Sequence, residues 1–237
     1  MKPLLIFRHI ACEGPGYLAE VLLQHGIPWQ LIAIDRADPV PDTLDACSGL
    51  VFMGGPMSVN DDLPWIRQEL ELIRMARDRN LPVLGHCLGG QLISKALDGQ
   101  ITANPVREIG WQPVRKNRNA IADDWLAEFN DGTELFHWHG EIFSIPDGAE
   151  QILENDWCAH QAFAIDNILA LQCHVEMTAP MVSEWARLYK DELADPSPAV
   201  QSATEINRNL EARITTLQAV AESLYRRWLQ PLPGISA

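Results

Sequence analysis

Apolar and polar positions along the first part of the chain predict strands and helices in alternation. Four short runs rich in apolar residues predict buried strands, at 4–7, 30–34, 49–53 and 81–84. Between them, segments 17–25 and 65–79 carry apolar residues at helical spacing. Strands that alternate with helices favour parallel pairing through crossover helices. We therefore expect an α/β fold, an open and mostly parallel sheet with helices on both faces.

Beyond about residue 100 the apolar runs become shorter, and turn signals such as Asn130-Asp-Gly132 separate them. They predict shorter strands at 110–115, 134–138, 151–154, 162–165 and 168–172. We expect this half to extend the sheet in a mixed or antiparallel way and to return the chain to the same sheet edge. Helical spacing resumes at 180–190.

The C-terminal segment begins with a break, Asp195-Pro-Ser-Pro198, and then predicts one long helix. Its start is marked by Ser202-Ala-Thr-Glu205, a capping-box pattern, and apolar residues recur every three or four positions as far as Trp228. We expect an α/β domain at 1–194 and a helical extension at 195–237 packed on that domain. A homodimer interface is the alternative use of the same apolar stripe.

Composition narrows the class of protein. The chain has 237 residues, 47% of them apolar, and a formal net charge of −14. That charge argues against binding to nucleic acid or to an anionic membrane, and no apolar run is long enough to span a bilayer. The N-terminal apolar run is too short for a secretory signal, and the five cysteines form no CxxC pair. We expect a cytoplasmic protein with free thiols.

The segment Leu81-Pro-Val-Leu-Gly-His-Cys-Leu-Gly-Gly-Gln91 carries the clearest chemical signal. A β-compatible run ends in Cys87, flanked by Gly85 and Gly89, and a helix-like stretch follows at once. This is the pattern of a nucleophile elbow, a strained strand-to-helix turn that presents one reactive side chain. The helix N-terminus that follows stabilises negative charge on the sulfur. Cys87 is therefore predicted to be a nucleophile that needs a base.

The best candidate for that base is His174, which ends the apolar run 168–172 together with Glu176. Residues two apart on a strand project to the same face, so the carboxylate can orient the imidazole and stabilise its protonated form. A histidine–glutamate pair that merely caps a strand is the alternative. The independent cysteine elbow favours the catalytic interpretation.

Four motifs between about residues 45 and 180 carry a family resemblance: Gly54-Gly55-Pro56-Met57-Ser58-Val59, Gly85-His86-Cys87-Leu88-Gly89-Gly90-Gln91, His139-Gly140-Glu141 and His174-Val175-Glu176. With these four motifs in this order, the chain resembles the class I (triad-type) glutamine amidotransferases, especially the amidotransferase domain of GMP synthase and stand-alone proteins similar to it. The resemblance implies a flavodoxin-like fold. It also implies that Cys87 attacks the carboxamide carbon of glutamine, forming a γ-glutamyl thioester and releasing ammonia.

The same resemblance assigns the other roles. His174 would accept the thiol proton and return it to the leaving amine, with Glu176 orienting it. The backbone N–H groups of Gly55 and Leu88 would form the oxyanion hole.

Three substrate contacts are implied as well. Gln91 would contact the bound glutamine, and the backbone around Trp138 and His139 would hold its amino-acid end. No cofactor is implied. His86 stands in the elbow where many family members carry a small or apolar residue, and its role is left open.

Three function classes follow from this resemblance. In the first, the chain is a glutaminase that passes ammonia to a separate partner synthetase. In the second, it is a self-sufficient hydrolase of γ-glutamyl amides or peptides, for which Trp138 would mark an altered pocket. In the third, it is a regulatory protein with a weak active site, which the intact set of Cys87, His174 and Glu176 disfavours.

A metal site is a lesser alternative. His137 and His139 would lie on one strand face, and Glu141 could add a carboxylate, which is a set of zinc ligands. We expect no metal, because the elbow elsewhere in the chain carries the chemical signal and the family resemblance already uses the region around His139. No GxxxxGK[ST] motif occurs and no GxGxxG opens a helix, so ATP and dinucleotide binding are not predicted.

Overall fold

The computed structural model describes residues 1–234, which form one eight-stranded sheet and a separate two-stranded ribbon. The strands are β1 (Leu4–Arg8), β2 (Trp29–Ala33), β3 (Gly49–Phe52), β4 (Val83–His86), β5 (Ile101–Pro113), β6 (Arg115–Lys116), β7 (Glu134–Phe143), β8 (Glu150–Glu154), β9 (Ala162–Ile165) and β10 (Ile168–Leu171). The helices are α1 (Gly16–Gln24), α2 (Pro64–Asp78), α3 (Leu88–Ala96), α4 (Ala120–Trp125), α5 (Ala179–Leu188), α6 (Ala203–Asn207) and α7 (Leu210–Leu229).

The main sheet has the strand order β2-β1-β3-β4-β10-β9-β8-β6. Its first five strands are parallel, and the remaining pairs are antiparallel. Alternate residues of β1 enter two different hydrophobic clusters, Leu4 and Ile6 in one and Leu5 and Phe7 in the other. Helices α1, α5 and α7 contribute to the first cluster, and α2 and α3 to the second. The open, mostly parallel sheet with helices on both faces is therefore confirmed.

The second half of the chain is only partly as predicted. Residues 110–113 and 134–138 do not extend the main sheet, because they belong to β5 and β7, which pair with each other as the ribbon, whereas Arg115 belongs to β6 of the main sheet. Local alternation cannot show which sheet a strand joins, since any strand with one apolar face fits either. The runs at 151–154, 162–165 and 168–172 do join the main sheet as β8, β9 and β10.

The predicted single C-terminal helix is also wrong in detail. Ser202 and Glu205 do form the capping box, but α6 ends at Asn207, and Asn209 adopts a left-handed conformation (φ 53°) before α7 begins. The apolar stripe of α7 is buried against α1 and the sheet, with Leu224 and Trp228 completely inaccessible. The stripe therefore has a partner within the chain. No helix of residues 1–234 has the length and apolar character needed to cross a bilayer.

Candidate active site

Cys87 lies on a strained turn between β4 and α3, as the elbow motif predicts. Its backbone has φ 50° and ψ −107°, a conformation that costs energy for any residue but glycine. Close packing forces this turn: a Cβ on Gly85 would lie 2.4 Å from backbone atoms of Gly89, and a Cβ on Gly89 would lie 2.0 Å from the Phe52 carbonyl oxygen. The backbone N–H of Cys87 donates to Leu171 O at 2.8 Å. The glycines therefore let the elbow sit directly on β3 and β10.

The thiol of Cys87 faces a cavity of about 520 Å³ at the carboxyl edge of the parallel strands. Only 7% of the residue is exposed. The sulfur lies 3.7 Å from Trp138 O and accepts a hydrogen bond from Gln172 Nε2 at 3.6 Å. It also stands at the N-terminus of α3, the positive end of the helix dipole. The position suits a nucleophile that attacks a molecule held in the cavity.

His174 lies beside Cys87, and Glu176 lies beside His174. Strand β10 ends at Leu171, so the prediction that His174 and Glu176 lie at the end of this strand is wrong. His174 is instead fixed by its backbone N–H, which donates to Phe136 O of the ribbon at 2.8 Å. Its Nδ1 pairs with Glu176 Oε1 at 2.7 Å, and its Nε2 makes no hydrogen bond within residues 1–234. One ring nitrogen is thus anchored and the other is free.

Charges set the protonation of this pair. Burial alone would lower the pKa of His174, but the carboxylate of Glu176 and the nearby sulfur of Cys87 hold that pKa well above its ordinary value. Burial would raise the pKa of Glu176, yet the imidazoles of His86 and His174 keep it below the ordinary value. The pair can therefore hold a proton taken from the thiol, as a general base requires.

A second layer lies behind Glu176, and sequence analysis missed most of it. His86 Nε2 is 3.7 Å from Glu176 Oε2 and 3.0 Å from the hydroxyl of Tyr225 on α7. His86 is completely buried, and burial lowers its pKa despite the neighbouring carboxylate. Tyr225 was not predicted as part of the site, because a helical apolar pattern does not show what a hydroxyl will meet. The C-terminal helix thus contacts the back of the candidate triad.

Gly55 and Leu88 lie against each other, as two oxyanion donors must. A Cβ on Gly55 would come within 2.9 Å of Leu88 Cδ2 and 3.1 Å of His9 Cβ. Neither backbone N–H donates a hydrogen bond within residues 1–234. The loop is held by His9, whose Nδ1 approaches Met53 O at 3.0 Å and whose Nε2 pairs with Glu69 Oε2 at 3.0 Å. His9 and Glu69 are further residues that no local motif indicated.

The three predicted substrate contacts all line the cavity. Gln91 Nε2 donates to Gln172 Oε1 at 3.3 Å and to the backbone carbonyl of Glu141 at 3.4 Å. Trp138 is half-buried and presents its ring to the cavity, while its carbonyl faces the thiol. The His139 side chain points away into the protein, which leaves its backbone for substrate.

His139 belongs to a buried cluster around Glu108. Glu108 Oε2 accepts from His139 Nε2 at 2.8 Å and from Gln161 Nε2 at 2.7 Å, and Oε1 accepts from Asn155 Nδ2. Although burial raises the pKa of Glu108, nearby His137 and His139 and the other donors bring it down to about 2. Burial lowers the pKa of His137 to about 4.

This cluster corrects the metal alternative. Ligand atoms of Glu108, His137 and His139 lie within 4.8 Å of one another, so the carboxylate near the two histidines is Glu108. Glu141 instead accepts a hydrogen bond from Ser58 Oγ at 3.0 Å. Because both Glu108 oxygens already accept hydrogen bonds, the cluster fits a structural hub better than a metal site.

Comparisons with known proteins show the family and the fold. The model of the class-I glutamine amidotransferase family matches residues 17–182. The solved glutamine amido transferase of Methylobacillus flagellatus is 47% identical, with a TM-score of 0.94 over 97% of this chain and 95% of that one. A solved glutamine amidotransferase of Thermotoga maritima is 25% identical, with a TM-score of 0.85 over 97% and 98% of the two chains.

Curated relatives point the same way. The glutamine amidotransferase-like protein YfeJ of Salmonella typhimurium is 30% identical over 92% of each chain. A GMP synthase [glutamine-hydrolyzing] of Clostridium botulinum is 29% identical over 56% of this chain, which covers only 25% of that enzyme. The chain belongs to the class-I glutamine amidotransferase family.

Proposed function

We propose that this protein hydrolyses the side-chain amide of glutamine through a cysteine–histidine–glutamate triad. The observation that carries the proposal is the free Nε2 of His174 beside the elbow thiol, while Nδ1 of the same ring is anchored to Glu176 at 2.7 Å. A nucleophile, a base and an orienting carboxylate in this order are the parts of an activated nucleophile. Family membership supports the same chemistry.

The reaction follows from the positions of these groups. His174 Nε2 takes the proton of Cys87, and the thiolate attacks the carboxamide carbon to form a tetrahedral adduct. The C–N bond then breaks as His174 returns the proton to nitrogen, which leaves as ammonia. Water, deprotonated by the same nitrogen, cleaves the γ-glutamyl thioester to glutamate and restores the thiol. Glu176 stabilises the imidazolium in both halves.

The negative charge of the adduct needs donors that are already in place. Gly55 lines the cavity, and the backbone N–H groups of Gly55 and Leu88 donate no hydrogen bond within residues 1–234, which supports their assignment as these donors. A donor of this kind is worth about 3 kcal/mol of transition-state stabilisation. The His9–Glu69 pair stabilises the Gly55 loop from behind, so the hole is preorganised.

The ammonia is proposed to pass to a separate partner synthetase. The Clostridium botulinum GMP synthase is named glutamine-hydrolyzing, and this chain matches only 25% of its length. A subunit that supplies ammonia to another chain fits that relationship.

The alternative is a self-sufficient hydrolase of γ-glutamyl amides. The observation that favours it is the cavity itself, about 520 Å³ in volume with the ring of Trp138 in its wall. A pocket of this size is typical for ligands larger than an amino acid.

Release of ammonia from glutamine by the purified protein tests the proposal. We expect Cys87→Ala to lower kcat by at least about 10³-fold, because the nucleophile has no substitute. Cys47→Ala is the matched control, since Cys47 is also buried and donates its thiol hydrogen to Leu44 O, away from the cavity. Full activity in the Cys87→Ala protein would exclude the mechanism. Activity that appears only with a co-purifying synthetase would favour the subunit role.

A further inference from the structure

Glu13 is a buried acid in the cavity that the proposed mechanism does not use. It lies in the loop between β1 and α1, is 6% exposed, and lines the same cavity as Cys87. A Cβ on Gly54 would lie 2.1 Å from Glu13 Oε2 and 3.1 Å from His174 Cε1. The carboxylate and the catalytic imidazole therefore face each other across Gly54.

The hydroxyl of Tyr189 is shared between the Glu13 carboxylate and Cys12 Sγ, which lies 3.3 Å from it. Burial raises the pKa of Glu13 to about 7, although the neighbouring imidazole of His174 opposes this rise. A buried carboxylate with so few partners is costly. A cation from outside the protein would remove that cost.

The wall beside Glu13 is aromatic. Trp138, Trp185 and Tyr189 line the cavity and contact one another, with ring centroids 6.1 Å, 5.5 Å and 6.2 Å apart. Aromatic rings attract ammonium groups through their electron-rich faces. A carboxylate next to three such rings is the chemistry that recognises an organic ammonium ion.

The imidazoles of His174 and His9 attract the Glu13 carboxylate, but no lysine or arginine of residues 1–234 forms an ion pair with it. Arg107 is the basic residue among those lining the cavity, and its Nη1 pairs with Glu192 Oε2 at 3.0 Å. Glu141 lines the cavity as well and holds Ser58 Oγ. The charged residues that line the cavity are thus three carboxylates and one paired arginine, so the cavity favours a cationic ligand.

We propose that Glu13 and the aromatic wall of Trp138, Trp185 and Tyr189 form a subsite for an ammonium group of the substrate. This proposal rests on the proposed amide hydrolysis. Glu13 faces His174, the residue that protonates the leaving amine, so the subsite lies on the leaving-group side. The substrate class that fits is a γ-glutamyl amide of a diamine, whose second nitrogen carries the charge. The α-ammonium of glutamine is the other source of the same chemistry.

Steady-state kinetics distinguish the two sources. The substrates are L-glutamine, its analogue without the α-amino group, the γ-glutamyl amide of 1,4-diaminobutane, and the uncharged γ-glutamyl amide of n-pentylamine. We expect kcat/KM to be at least about tenfold higher for the diamine amide than for the pentylamide, as one good charge contact would give. Glu13→Gln should abolish that preference, and Glu13→Asp should restore part of it.

The control variant is Glu20→Gln, which makes the same change at an exposed position of α1. Its preference should equal that of the wild type. If Glu13→Gln instead removes only the preference for glutamine over its analogue without the α-amino group, the subsite binds the α-ammonium and the diamine class is wrong. Unchanged ratios for every pair of substrates would overturn the subsite altogether.

A binding measurement separates this proposal from the hydrolysis itself. Binding of n-butylammonium to the Cys87→Ala protein is followed by tryptophan fluorescence, with n-butanol as the uncharged probe. We expect saturable binding of the ammonium alone, weakened at least about tenfold when Glu13→Gln is added. Melting temperatures show that the variants are folded. Binding without hydrolysis of any substrate would refute the proposed function and keep the subsite. Equal binding with and without Glu13 would refute the subsite whatever the activity.

Discussion

Among the buried histidine–glutamate pairs of residues 1–234, those of His174 with Glu176 and of His139 with Glu108 differ in which ring nitrogens remain without a partner. His174 pairs with Glu176 at 2.7 Å, and His139 pairs with Glu108 at 2.8 Å. His139 uses both ring nitrogens, since Nδ1 meets the Glu141 carbonyl at 3.1 Å. His174 keeps Nε2 free beside the thiol. A histidine–carboxylate pair can do chemistry only where one nitrogen is left for a reacting group.

The two carboxylates differ in the same sense. Glu108 accepts hydrogen bonds from three side chains, and its pKa falls to about 2 against the effect of burial. Glu176 has one close donor, His174, while Oε2 has only His86 at 3.7 Å. The hydrogen bonds of Glu108 therefore serve to hold the ribbon in place. Glu176 stabilises a proton that arrives on its partner.

The largest effect is expected on kcat, at the pair of His174 and Glu176. Glu176→Gln removes the charge that stabilises the imidazolium, and we expect kcat to fall by about 10³- to 10⁴-fold. The pKa of His174 is held up mainly by this carboxylate, against burial, so the limb of the pH–rate profile that reports His174 should move to lower pH. Ammonia release across pH measures both. Exposed Glu184→Gln is the control, and a profile of unchanged position would contradict the role of Glu176.

The next largest effect is expected on the free energy of unfolding, at the pair of His139 and Glu108. Glu108→Gln replaces the carboxylate by a neutral amide, whose NH2 group cannot accept hydrogen bonds from these donors. We expect it to lower the free energy of unfolding by about 3 kcal/mol at neutral pH. The pKa of Glu108 drops from 4.5 to about 2 on folding. Its carboxylate therefore stabilises the fold fully above pH 4.5, and this stabilisation disappears as the pH falls through about 2.

Urea unfolding of the wild type and Glu108→Gln between neutral and acidic pH tests this prediction. The difference between the two proteins should shrink as the pH drops below 4.5. Exposed Glu150→Gln should change little at any pH. A difference that stays constant with pH would mean that shape, rather than charge, is what the cluster needs.

A smaller effect is expected where the C-terminal helix contacts the candidate triad. Tyr225→Phe leaves His86 without its partner at 3.0 Å, and we expect a loss of about 1 kcal/mol in unfolding free energy and a few-fold loss in kcat. Tyr17→Phe is the matched control, because it removes only the hydroxyl that bonds Glu222 of the same helix at 3.3 Å and keeps the backbone N–H that donates to Glu176 O at 2.8 Å. Equal kcat losses in the two variants would show that only helix docking matters.

The smallest effect expected is that of zinc on the Glu108 cluster. A metal ion would have to displace hydrogen bonds that already satisfy Glu108, so zinc should shift the melting temperature of the Cys87→Ala protein by less than about 1 °C. The Cys87→Ala background excludes zinc binding at the thiol. A saturable rise that His137→Asn removes would instead identify the cluster as a metal site.

Sequence reasoning predicted the elbow best, because Gly85, Cys87 and Gly89 are contiguous and a strand-to-helix turn is a local structure. The first four strands were also predicted, because the periodicity of apolar residues is local as well. The pairing of β5 with β7 could not be predicted, because either strand could join the main sheet with the same apolar face buried. The interruption of the C-terminal helix at Asn209 was equally invisible in an apolar stripe that continues across it.

The sequence by itself determined the sheet class, the thiol proposed as nucleophile and the residues proposed as its base and orienting acid. Only the tertiary structure decided which buried groups face one another. Glu13, His86 and Tyr225 come from three distant segments, and none of these segments shows what its residue will contact. Burial and the approach of a single charge or donor set the pKa of such groups. They also decide which polar atoms of these groups remain without a hydrogen bond. Those quantities depend on distances that form only when the chain has folded.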